Sequence, residues 1–146
     1  MSEPYTLTLE ASADVLKAAR DWAAEIFDLW GLDDYLGKLI VTELATNVVR
    51  HTDADKMVLR LYECDRGIVV EVEDPSSVLP VVRPLTTDSS TGRGLAMIRL
   101  LAADLGWNLC AAGGKCVYAV LPGAASGSWC GGPCRAPRSA SAPRCS

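Results

Sequence analysis

The sequence has one histidine, no apolar run of bilayer-spanning length and no concentration of positive charge. Each lack removes a class of function. A membrane helix needs roughly 20 consecutive apolar residues, and the longest apolar stretches here fall well short. A general nucleic-acid binder presents a basic stripe. This chain carries a net charge of −4, and its Arg and Lys are scattered except for Arg135, Arg138 and Arg144. The expectation is therefore a protein with no direct nucleic-acid partner and no membrane association. The start, Met1-Ser2-Glu3-Pro4, is acidic and has no apolar core, so no signal peptide is expected and a cytoplasmic location is the default. His51, the lone histidine, falls near a predicted helix end, where an imidazole suits the helix dipole. Nothing supports a histidine-based catalytic triad.

What is present is a globular composition, 49% hydrophobic and 22% charged over 146 residues. One domain is the simplest division. The cysteines at 64, 110, 116, 130, 134 and 145 are expected to be reduced in a cytoplasmic chain. The first three fall in strand-like segments and read as small buried side chains. Cys130-Gly-Gly-Pro-Cys134 has the spacing of a metal or redox pair but no other ligands near it.

Residues 5–11 alternate and predict a strand. A helix follows from Ser12, the expected N-cap, to Trp30, with Gly31 ending it. A second helix is predicted from Asp33-Asp34 to His51. Residues 57–63 and 68–73 form a hairpin across Asp65-Arg66-Gly67. Residues 75–91 are a long Pro-, Ser- and Thr-rich loop, and loops of that length are usually functional. A third helix is predicted over 93–105, stopped by Gly106. A second hairpin, 107–112 with 115–121, turns at Gly113-Gly114. Residues 1–122 make the domain; 123–146 read as a flexible Gly/Ala/Ser/Pro-rich tail. The order predicts an α+β, two-layer sandwich with helices on one face of a mostly antiparallel sheet.

Three separated signals carry the functional reading. Glu43 and Asn47 lie one helical turn apart, at the border of the arc made by Ile40, Val41, Leu44, Ala45, Val48 and Val49. A half-dry carboxylate there needs a polar partner. Magnesium with phosphates would supply one, with Asn47 offering the metal a neutral oxygen and Glu43 accepting a proton. A solvated edge with Glu43 paired to an arginine is the alternative. Asp74 is the second signal. It is in phase with Ile68, Val70 and Val72, so it points inward at a strand end, either as a turn-former before Pro75 or as an acceptor for the exocyclic amine of adenine. The third is Gly92-Arg93-Gly94-Leu95 opening a helix, where free N–H groups bind phosphate and Arg93 adds a cation. Lys115, after Gly113-Gly114, either reaches a phosphate or sits in solvent; solvent is favoured.

Over roughly residues 5–122, these motifs resemble the GHKL superfamily of gyrase, histidine kinases and MutL. Glu43…Asn47 with His51 resembles its N box, Asp74 the acid of its first glycine box, Gly92-Arg93-Gly94-Leu95 its second, and Gly114-Lys115-Cys116-Val117 its closing strand. Within it, the short length and the run Leu79-Pro-Val-Val-Arg83-Pro84 resemble the bacterial anti-sigma factor serine/threonine kinases. The resemblance implies a Bergerat-type ATP-binding fold and the cofactors ATP and Mg2+. Glu43 would be the catalytic base, Asn47 the magnesium ligand and Asp74 the adenine anchor. Gly92, Arg93, Gly94 and Leu95 would hold the phosphates, with Lys115 a further candidate contact and residues 75–91 a mobile lid. It further implies phosphorylation of an anti-anti-sigma antagonist, sequestration of a sigma factor and a possible homodimer. The first box normally reads Asp-x-Gly-x-Gly, whereas this chain has Asp74-Pro75-Ser76-Ser77-Val78. That departure motivates an alternative, a nucleotide-gated partner-binding module without kinase activity.

Overall fold

The computed structural model describes residues 3–78, 80, 93–111 and 113–122, with the side chains of 93–96 and of 122 outside that description. In chain order the elements are β1 (Tyr5–Glu10), a single 3-10 turn (Ala13–Val15), α1 (Leu16–Leu29), α2 (Tyr35–His51), β2 (Lys56–Cys64), β3 (Gly67–Asp74), α3 (Arg93–Leu101), β4 (Asp104–Leu109) and β5 (Lys115–Pro122). The strands form one five-stranded antiparallel sheet in the order β1-β2-β3-β5-β4. The α+β prediction holds. The tail at 123–146, with Cys130 and Cys134, and most of the 75–91 loop lie outside the described residues.

Alternation along the strands decides which residues meet the helices. Met57, Leu59 and Leu61 of β2, Ile68, Val70 and Val72 of β3, and Val117, Ala119 and Leu121 of β5 share one core with the helices. Helix α1 contributes Ala19, Ala23, Ile26 and Phe27; α2 contributes Ile40, Val41, Leu44, Ala45 and Val48; α3 contributes Ile98. The two long helices pack tightly because Gly37 leaves room for a ring: a Cβ there would run into Phe27. Helix α2 lies against both β3 and β5 and touches α3. Its Glu43–Asn47 segment is therefore carried by the layer that covers the two central strands.

Three local expectations are refined or corrected. Ser12 does occupy the N-cap position, in the extended conformation a cap takes, but the segment it caps is a 3-10 turn ahead of α1 and its side chain makes no cap hydrogen bond. The third helix ends at Leu101 rather than near 105, and Gly106 lies inside β4. The Ala102 N–H still donates back to Ile98, but the Ala103 N–H donates to Val120 of β5 and Asp104 Oδ1 accepts from Leu105 N–H, which turns the chain into the sheet. Gly106 is needed there for a different reason, since a Cβ would stand 2.7 Å from the Tyr118 hydroxyl. Finally, Cys64 is disulfide-bonded rather than reduced, while Cys110 and Cys116 are free and buried as expected.

Candidate functional site

The pairing of β3 with β5 builds the centre of the site. These strands are far apart in sequence, and their register sets Val72 opposite Val117 and Asp74 opposite Lys115. Residues directly opposite in an antiparallel pair share a face. Asp74 and Lys115 thus continue the helix-side apolar rows to the strand ends. Both side chains are completely buried. The Lys115 ammonium donates to Asp74 Oδ1 at 3.0 Å and to Oδ2 at 2.9 Å. The Ser76 N–H donates to Asp74 Oδ1 at 2.8 Å, and the Val78 N–H to Ser76 Oγ at 3.1 Å. Asp74 is therefore both things its sequence position suggested: inward-facing and turn-forming. The expectation that Lys115 sits in solvent is wrong. A charged group can be this dry only when an opposite charge and hydrogen bonds compensate it, and Asp74 supplies both.

Gly114 makes this arrangement possible. Its φ is +87°, in the region that side-chain-bearing residues avoid. A Cβ there would collide with the Asp74 carbonyl oxygen and stand 2.9 Å from Pro75 Cα. The turn of the second hairpin thus presses its backbone onto the Asp74-Pro75 segment. The sequence placed Gly114 in a hairpin turn and Ser76 in a departure from the first glycine box, and gave no sign that either supports Asp74. The alternation of Lys115 with Val117, Ala119 and Leu121 was the signal that would have placed Lys115 inward.

Glu43 and Asn47 lie one turn apart on α2 as predicted. Asn47 is buried, 8% exposed, and Glu43 is half-buried. Burial pushes the Glu43 carboxyl above its ordinary pKa, with the Arg50 charge pulling partly back. Among the described residues neither side chain has a hydrogen-bond partner, and neither bonds to Asp74 or Lys115. The structure therefore brings Asp74 and Lys115 into contact and leaves the Glu43–Asn47 pair to meet something else. Gly92 lies outside the described residues. Arg93, Gly94 and Leu95 form the first turn of α3. His51 ends α2 and is exposed.

A neutral amide oxygen with no hydrogen-bond partner among the described residues, one helical turn from a half-buried carboxylate, fits a magnesium ion that keeps most of its shell as water and phosphate oxygens. No group of three or more His, Cys, Asp or Glu converges on a metal position among the described residues.

The opposite face of the sheet holds a second polar cluster. Glu71 is fully buried, and the Cys116 thiol donates to its Oε2 at 2.8 Å. Arg60 donates to Glu73 Oε1 at 2.6 Å and lies 3.8 Å from Glu71 Oε2. Burial, then the Glu71 charge, pushes the Cys116 thiol far up; burial, then the Glu73 and Asp74 charges, pushes Cys110 to about 11. These thiols stay protonated at neutral pH, so they are poor nucleophiles.

Comparison with known families gives one finding of wide coverage. A family model described as a histidine kinase-like ATPase domain matches residues 8–121, from β1 to the penultimate residue of β5. No curated protein matches the chain. No helix among the described residues is long and apolar enough to cross a membrane.

Proposed function

Starting from the chain's membership of the histidine kinase-like ATPase domain family, we propose that it is an ATP-binding regulator that phosphorylates a serine or threonine of a protein partner. The carrying observation is a pair of α2 side chains with no hydrogen-bond partner among the described residues: a half-buried carboxylate with a raised pKa, one turn before a buried amide. An acid whose pKa is raised toward the working pH is a better general base than an exposed one.

In this reading the base of ATP lies at the ends of β3 and β5, its exocyclic amine donating to Asp74. The first turn of α3, Arg93, Gly94 and Leu95, would receive the phosphates through its N–H groups, with Gly92 preceding it in sequence. The Asn47 carboxamide oxygen is the protein donor that would hold Mg2+, leaving the Glu43 carboxylate free to act as the base. Bound there, the cation would screen the negative charge of the transferring phosphoryl group. Glu43 takes the proton of the acceptor hydroxyl as that oxygen bonds to the γ-phosphorus, and ADP leaves with the bridging electron pair. By the anti-sigma kinase resemblance, the acceptor would be an anti-anti-sigma antagonist, a sigma factor would be the sequestered partner, and a homodimer is a possible assembly.

The test is transfer of radiolabel from the γ-phosphate of Mg-ATP to a co-purified partner. We expect wild type to label the partner on Ser or Thr and Glu43→Ala to lose nearly all transfer. Normal transfer by Glu43→Ala would remove Glu43 from the role. One observation supports a second reading, the nucleotide-gated binding module: Asp74 is already committed to Lys115. In that case nucleotide changes partner affinity and no label leaves ATP.

A further inference from the structure

We infer that Lys115 is an internal competitor for the base-reading carboxylate: its ammonium holds the position that the exocyclic amino group of a nucleotide base must take on Asp74, and nucleotide binds only after displacing it. This rests on the proposed nucleotide site and concerns how that site is regulated.

A carboxylate has about four acceptor positions. Three on Asp74 are in use, two of them by Lys115 at 3.0 and 2.9 Å and one by the Ser76 backbone N–H at 2.8 Å. The carboxylate is also completely buried. No base edge can reach it in this arrangement, so either the turn or the lysine must move. The Ser76 bond belongs to a backbone turn braced by Val78 N–H on Ser76 Oγ. Below Asp74, Gly114 packs against the carbonyl of Asp74 and against Pro75. Lys115 holds on only through a flexible four-carbon stem. Its ammonium and the amino group of a base are both N–H donors, so they substitute for one another on the same oxygens. Asp74 keeps a donor throughout, which lowers the cost of exchange. The lysine is the part that yields.

When the binding-competent form is only a fraction of the population, the apparent affinity falls by that fraction. Removing the competitor should therefore tighten binding. The experiment titrates a fluorescent ATP analogue with Mg2+ into the full chain as wild type, Lys115→Met and Lys115→Thr. Methionine keeps the length of the stem without the charge. Threonine keeps one hydroxyl donor for Asp74 at a shorter reach. Both variants should bind at least about tenfold more tightly than wild type, and the analogue should raise their melting temperatures by more than it raises that of wild type. Equal or weaker binding by a variant with a native circular dichroism spectrum overturns the competition while leaving the nucleotide site standing. Absence of saturable binding in wild type and both variants overturns the nucleotide site and the competition with it.

A second measurement needs no substitution. Wild type is treated with a small amine-acylating ester, and Lys115 modification is read by peptide mass spectrometry. Lys115 should be protected without nucleotide and acylated several times faster at saturating ATP analogue. Unchanged protection at saturation would mean that the lysine never leaves Asp74.

Discussion

The α2 face and the β3–β5 strand ends each hold an acid, and they treat it in opposite ways. Glu43 on α2 is half out of water, has no hydrogen-bond partner among the described residues, and is pushed toward its protonated form. Asp74 is wholly out of water, yet it is matched by an ammonium and a backbone N–H. Helix spacing alone put Glu43 where it is, since a border position on an amphipathic helix is dry on one side only. Asp74 required two strands distant in sequence to meet in register. The lesson is chemical. An unmatched acid is ready to take a proton, whereas a matched one is ready only when its partner is exchanged.

The largest effect that would sharpen this contrast is on the matched side. Lys115→Met leaves Asp74 as a buried charge without its cation, and breaking such a pair costs about 3–5 kcal/mol. Urea denaturation should show that loss in Lys115→Met. The double variant Asp74→Asn/Lys115→Met should recover much of it. A double variant no more stable than the single would show that the ion pair is not what the strand ends depend on.

Next in size is the backbone that supports the pair. Gly113 and Gly114 both have positive φ, +98° and +87°, but among the described residues only Gly114 has atoms in the way of a side chain. Gly113→Ala should cost about 1 kcal/mol of backbone strain. Gly114→Ala adds a collision with Asp74 and Pro75, for a total of about 2–4 kcal/mol. Equal losses in the two variants would mean that the hairpin does not brace the Asp74 turn.

The smallest effect belongs to the unmatched acid, and its sign is opposite. Because the folded pKa of Glu43 lies above its unfolded value, the carboxylate form destabilises the fold at neutral pH. That penalty is full above the folded pKa and absent below the unfolded one. Glu43→Gln should therefore melt slightly higher than wild type at pH 7, with the gap closing as the pH falls through the ordinary carboxylate range. A gap that widens on acidification would mean that Glu43 is matched after all. The substitution should stabilise the protein while removing the proposed base.

Much of this was legible in the residues. Period-two alternation placed Asp74 in line with Val70 and Val72, and a spacing of four put Glu43 and Asn47 on one side of α2. The same alternation ran through Lys115, Val117, Ala119 and Leu121, but a charged residue beside two glycines was read as solvated. What overrode that reading was β3–β5 pairing, which single-strand patterns do not encode. Gly106 misled for a related reason. A glycine after an apolar helical run looks like a stop signal, but here it accommodates the Tyr118 ring across β4 and β5. The Asp74-Pro75-Ser76-Ser77-Val78 stretch lacks glycines, and it folds as a side-chain-supported turn whose bonds come from Asp74 and Ser76 themselves.

The central claim is that the strand-end acid reads a nucleotide base. Isothermal titration of Mg-ATP into wild type and into Asp74→Asn, each confirmed as folded, tests it most directly. The account predicts a saturable heat for wild type that Asp74→Asn weakens by at least about tenfold, since losing a buried acceptor for an amine costs on the order of 1–3 kcal/mol. A flat trace for wild type at millimolar ATP, or equal binding by the two proteins, would contradict it.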